Sequence, residues 1–111
     1  MDFAWYEDMG CSVTVCDAEC KIIYMNRRAR ETFAKYGDLI GKDLMACHSP
    51  RSQEIIRRLL REGSTNSYTI TKQGVNKLIH QTAWRTDSGE VGGLVEFSII
   101  LPSDMPHYDR G

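Results

Sequence analysis

The chain has 111 residues, 41% of them hydrophobic, with 14 basic and 15 acidic side chains and a net charge of −1. That length suits one domain with one core, and the near-neutral balance lacks the basic footprint of a nucleic-acid-binding protein. No apolar run approaches the roughly 20 residues of a membrane span, and the opening Met1-Asp2-Phe3-Ala4-Trp5-Tyr6-Glu7-Asp8 lacks the basic region and apolar core of a signal peptide.

A cytoplasmic location is therefore the expectation, with Cys11, Cys16, Cys20 and Cys47 reduced. Cys16 and Cys20 have a spacing that zinc sites use, but no second close pair of Cys or His completes four ligands. Small buried side chains are the simpler reading of most of these cysteines. The basic cluster Arg57, Arg58 and Arg61 falls on a predicted helix and reads as a solvated face.

Residues 1–10 are aromatic and acidic and predict a short amphipathic helix, with Phe3 and Tyr6 or Trp5 on its apolar side. Ser12–Asp17 alternates with β-branched residues and predicts a strand with Val13 and Val15 facing the core. Asp17-Ala18-Glu19-Cys20 is a tight turn, and residues 21–25 are the returning strand of a hairpin. Asn26 caps a helix on which Ala29, Phe33 and Tyr36 recur, and Gly37 ends it. Ser49 and Pro50 open a second helix with an apolar stripe of Ile55, Ile56, Leu59 and Leu60, closed by Gly63. Three strands follow, at 67–72, 77–86 and 93–101, joined by turns at 73–76 and 87–90. Leu78, His80, Thr82 and Trp84 share one side of the middle strand, and Val95, Phe97, Ile99 and Leu101 share one face of the last. Residues 102–111 read as a mobile tail. Strands gathered around a helical middle predict an α+β domain with one antiparallel sheet of about five strands and helices on one face. The other face needs a cover as well, either the aromatic N-terminal segment or a second copy of the chain.

This order of elements resembles the PAS family. The residues that carry the likeness are Val13-Thr14-Val15-Cys16-Asp17, then Ile22-Ile23-Tyr24-Met25-Asn26, then Ala29, Phe33, Tyr36 and Gly37. Leu39-Ile40-Gly41-Lys42 looks like the family's entry to its short middle helices, and Asp87-Ser88-Gly89-Glu90-Val91-Gly92-Gly93 like its last hairpin. The likeness spans residues 11–101. Many family members carry Gly at the fourth turn position, where this chain has Cys20, a residue that disfavours left-handed backbone. Cys47-His48-Ser49-Pro50-Arg51-Ser52 also resembles the Cys-His-Pro-Pro-Lys-Ser element of a PAS subgroup, and Lys77-Leu78-Ile79-His80 matches the surroundings of that subgroup's strand histidine. The resemblance implies a bacterial sensory module that performs no catalysis, binds a small ligand or forms a homodimer, and signals to an output domain or partner protein; charge and hydropathy add the expectation of neither nucleic acid nor membrane as a partner.

Cys47 and His48 are the residues most suited to chemistry. A thiolate or imidazole there can ligate haem iron, and a thiol near a helix N-terminus is a redox candidate. The bland alternative has Cys47 filling a small buried site and His48 bonding backbone near the helix start. His80 is read either as the wall of a pocket between sheet and helices or as ordinary sheet packing, and Trp84 and Tyr68 complete the ligand candidates. Phe3, Trp5 and Tyr6 are the dimer-interface candidates. His107, in the tail, has no assigned role. In haem PAS proteins a histidine lies in the long helix, where this chain has Gln53 or Glu54. Asp43-Leu44-Met45-Ala46 departs from the Asn-Cys-Arg-Phe-Leu-Gln of flavin photosensors, which argues against flavin. No phosphate loop, His-Glu-x-x-His element or Gly-x-Ser-x-Gly elbow is present. Three readings remain open: a small-molecule sensor, an interaction module with a filled core, and a thiol redox sensor.

Overall fold

The structure, a computed structural model, describes residues 4–111, and at Cys47 the backbone alone. Its elements are β1 (Ser12–Asp17), β2 (Ile22–Met25), α1 (Arg27–Thr32), α2 (Pro50–Glu62), β3 (Thr65–Lys72), β4 (Val75–Arg85) and β5 (Val91–Leu101). The five strands form one antiparallel sheet in the order β2-β1-β5-β4-β3. This is the expected α+β architecture with helices on one face.

Local chemistry explains most of the boundaries. Asp17 accepts at Oδ1 from the Glu19 and Lys21 amides, which closes the first hairpin. Cys20 does take the left-handed conformation, φ 66°, that glycine fills more easily. Ser49 caps α2 through the Ser52 amide, Pro50 occupies its first turn and Gly63 ends it with left-handed backbone. Ile56 and Leu59 are fully buried, each contributing roughly 1.5–3 kcal/mol by burial. They join Cys16, Cys20 and Leu94 in the main core, and a second cluster of Ile22, Met25 and Ala29 packs under Phe33, Leu39 and Leu44.

Four expectations need correction. The helix after Asn26 does not run to Gly37. It stops at Thr32, whose hydroxyl bonds the Arg28 carbonyl (2.8 Å), a back-bond that weakens a helix. Phe33 then leaves helical geometry, and a 3-10 turn at Ala34–Tyr36 follows. The turn after β3 is two residues, not four: Gln73 and Gly74 both have positive φ, as a type I′ hairpin requires. Among residues 4–10 there is no helix, only turns at 5–8, with Glu7 and Asp8 paired to Arg30 and Arg27 of α1. Phe3 lies outside the described residues.

The fourth correction concerns the faces of the sheet. Val13 is buried, as expected of a core residue, but it and Val15 pack on the face away from the helices. The helix side of β1 carries Thr14 and Cys16, while Val13 and Val15 meet Val95 and Phe97 on the opposite face. Trp5, Tyr6 and Met9 lie over these residues and leave a hollow of about 300 Å³. The N-terminal segment thus covers the part of the second face formed by β2, β1 and the middle of β5. After Leu101 the chain forms no helix or strand and is exposed.

Candidate functional site

Between the sheet and the connection from α1 to α2 lies a cavity of about 430 Å³. Its floor is Thr14, Ile22, Met25 and Glu96, and its roof includes Phe33, Leu39, Leu44 and His48. The roof is tied down at both ends. Near β2, the Ile22 amide donates to the Lys42 carbonyl (2.9 Å), Gly41 to Ile22 (2.7 Å) and Leu44 to Cys20 (2.7 Å), which also covers the free edge of β2. Near α2, Gln53 Nε2 donates to the carbonyls of Met45 and His48, both at 3.0 Å. A 3-10 turn at Leu44–Cys47, capped by Asp43, links the two anchors.

Of the expected ligand residues, His48 lines this cavity. Its Nδ1 lies 2.8 Å from the Leu44 carbonyl oxygen, so Nδ1 carries the proton and donates, which leaves Nε2 as an acceptor in the neutral ring. This backbone contact is the one the bland reading expected, and it is also how a ligating histidine is held. Among the described residues no three His, Cys, Asp or Glu side chains converge as a metal site. The side chain of Cys47 is outside the described residues. Burial pushes the Cys16 thiol up to about 11 and raises that of Cys20, so both are poor nucleophiles at neutral pH.

The other three candidates are elsewhere. His80 does not lie between sheet and helices: on β4 that side carries Ile79, Gln81 and Ala83. His80 bonds Ser67 Oγ (2.6 Å) and packs against the Phe97 ring on the opposite face. Trp84 shares that face by alternation. It donates from Nε1 to the Cys16 carbonyl (3.1 Å), with its indole over Gly92 and Gly93. Tyr68 is on the helix side but in a separate recess with Arg51, Ile55 and Gln81. Burial, then the charge of Glu96, raises its phenol above the usual value. Sequence reasoning missed Thr14 and Glu96, because polar residues within a strand read as solvent-facing.

A second constellation joins the N-terminal segment to the cavity wall. Glu7 accepts from Tyr24 Oη (2.6 Å) and from both Arg30 guanidinium nitrogens (3.1 and 2.6 Å), while Arg30 also donates to the Met25 carbonyl (2.6 Å). Asp8 pairs with Arg27 beside it. The Arg30 hydrogen bonds, then that of Tyr24, hold the Glu7 carboxyl down at about 2 from an ordinary 4.5. Burial, then the bond to Glu7, pushes Tyr24 up to about 12. A depressed acid contributes its stabilisation fully above pH 4.5 and loses it as pH falls toward 2. Acidification through that window is expected to release the edge-stacked Tyr6 and Tyr24 rings, seen as a shift of their ring proton resonances. Glu7→Gln should abolish the transition; identical titrations of the two proteins would contradict the clamp.

No protein-family model and no curated protein matches this sequence. Solved structures do match its fold. VqmA bound to DPO superposes with a TM-score of 0.73 at 17% identity, over 90% of this chain and 56% of that one. The Aer2 receptor from Vibrio cholerae, a dual PAS-heme oxygen sensor, gives 0.65 at 18% identity, over 87% and 99%. The PAS domain of histidine kinase ThkA gives 0.64 at 16% identity, over 82% and 99%. The chain spans about half the length of the VqmA chains it matches, one of which is solved with ligand and DNA. At these identities the likeness carries the fold: the chain has a PAS-like α+β fold, as its order of elements implies. Among the described residues no helix is long and apolar enough to cross a membrane.

Proposed function

We propose that this chain is a non-catalytic sensory module that takes one small, largely apolar molecule into the cavity beside His48. The observation that carries this reading is the cavity itself. At about 430 Å³, it falls in the range of small-molecule sites, and it pairs an apolar wall with the few polar groups, Thr14, His48 and Glu96, that fix a ligand's orientation. The neighbours support it, since VqmA is bound to DPO and Aer2 senses oxygen through haem in the same fold. A ligand acts only through different affinities for two states. The element best suited to have two states is the roof at 38–48, held by a few hydrogen bonds, while the Glu7–Arg30–Met25 clamp links the floor of the cavity to the N-terminal segment.

The reading is tested by thermal denaturation across a small-molecule library, with Thr14→Leu as a variant that fills the floor of the cavity. A ligand at a hundredfold excess over its Kd stabilises by about 2.7 kcal/mol, several degrees in Tm. Wild type should rise and Thr14→Leu, itself folded, should not. Hits that stabilise both equally would contradict the assignment.

Homodimerisation through the second face is a further part of the proposal. Its support is the exposure of Trp5, 67%, beside Tyr6 and Ile99 on the apolar side of the sheet. The readout would be a change in dimer geometry or in contact with an output domain.

A further inference from the structure

We propose that the cavity beside His48 selects a small organic cation, an ammonium or amidinium on an apolar body, with Glu96 as its counter-ion; this rests on the cavity being the ligand site. A row of polar side chains crosses the sheet at one register on the helix side: Asn66 on β3, Gln81 on β4, Glu96 on β5 and Thr14 on β1. Asn66 Nδ2 donates to Gln81 Oε1 (3.1 Å), and Gln81 Nε2 donates to Glu96 Oε2 (3.0 Å). Gln81 is buried, 4% exposed, and fixed at both ends, so it holds the Glu96 carboxylate in one orientation. Among the described residues Oε1 of Glu96 accepts no hydrogen bond, and the ion pairs are Arg30–Glu7 and Arg27–Asp8, neither at Glu96.

Glu96 is a half-buried carboxylate on a largely apolar wall, and a bound cation would give it the charge-assisted partner that the described residues do not. The remaining polar groups point to the same ligand. His48 spends its Nδ1–H on Leu44, which leaves Nε2 of the neutral ring as an acceptor on a residue that lines the cavity. Thr14 and Tyr36 carry the hydroxyls on the cavity wall, and each can accept from a ligand as well as donate to it. The wall therefore asks for hydrogen-bond donors and repels anions. Phe33 and Tyr36 also line it and supply aromatic faces, which favour cations. The Lys35 ammonium, 5.0 Å from the Tyr36 centroid, already uses one of those faces in this way.

The test compares three probes on one skeleton: phenethylamine, 2-phenylethanol and phenylacetate, titrated by NMR into wild type and Glu96→Gln. The amide can keep the bond to Gln81 while removing the charge. In wild type the ammonium should bind about tenfold tighter than the alcohol, the ratio that one charge-assisted hydrogen bond supplies, with phenylacetate weakest. In Glu96→Gln the ammonium should lose that advantage while the alcohol keeps its affinity. Phenylacetate binding as tightly as phenethylamine in wild type, or an unchanged ammonium-to-alcohol ratio in Glu96→Gln, overturns the charge preference and leaves the cavity reading standing. Failure of all three to shift the Met25 methyl resonance overturns both.

Discussion

Asn26→Ala is expected to destabilise the domain by about 3 kcal/mol or more, a large share of the roughly 5–15 kcal/mol that holds such a fold. The Asn26 side chain is 0% exposed and uses all four of its hydrogen-bonding positions. Oδ1 accepts from the Val13 and Ala29 amides, and Nδ2 donates to the Tyr6 and Cys11 carbonyls. One residue thus caps α1, anchors the start of β1 and ties down the N-terminal segment. Alanine leaves two buried amides unpaired, at about 1–3 kcal/mol each, and removes a cap worth about 1 kcal/mol. Asn26→Asp separates these roles, because a carboxylate keeps both acceptor bonds and loses both donations. It should retain the sheet and α1 while releasing residues 4–10, detected as faster amide exchange at Arg27, whose N–H bonds the Glu7 carbonyl. Urea unfolding that finds Asn26→Ala within 1 kcal/mol of wild type (a difference on the order of one weak hydrogen bond) would contradict this account.

Gly93→Ala is expected to cost about 3 kcal/mol or more, at or beyond the upper end of ordinary overpacking. A Cβ at this position would stand 1.8 Å from the Cys16 carbonyl oxygen and 2.8 Å from Trp84 Nε1. Both are members of one hydrogen bond between β1 and β4 across β5. The oxygen is backbone, locked between paired strands, and has nowhere to go. Gly92→Ala makes the instructive contrast. The three atoms nearest its Cβ all belong to the Trp84 ring, the closest at 2.2 Å, and a side chain on the half-covered face is freer to rotate away. The expectation is a smaller loss of stability for Gly92→Ala with a large change in Trp84 fluorescence. Equal unfolding midpoints for the two variants would show that the strand carbonyl yields as easily as the indole.

The elements were legible because their signals are local. Asn26, Ser49, Pro50 and Gly63 mark helix ends by capping chemistry, and alternation in β1, β4 and β5 marks strands. The assignment of faces was not legible in the same way. Alternation separates Val13 and Val15 from Thr14 and Cys16, but it does not say which set meets the helices. The usual assumption, that the more apolar set does, fails because the N-terminal segment packs on the second side of the sheet over β1. The valines meet Trp5, Tyr6 and Met9, and the smaller, more polar set meets α2 and the cavity. The same inversion moved His80 out of the cavity and brought Glu96 in. Gln81 and Glu96 were the available signal: two long polar side chains at mid-strand, alternating with residues that pack. Reading them as partners needed the register of β4 on β5, which is a property of the folded sheet. The break at Phe33 is of the same kind, since helical spacing continues through it while the ring turns toward the cavity.

Methionine methyl groups report on both sides of the sheet, with Met25 in the cavity and Met9 in the hollow under the N-terminal segment. The measurement to make is a carbon–proton spectrum of the methyl-labelled chain, titrated with a mixture of phenol, 2-phenylethanol and phenethylamine. A ligand site beside His48 predicts a saturable shift of the Met25 signal, with Met9 and the exposed Met105 unmoved. A shift confined to Met9, or none at either position, would contradict it.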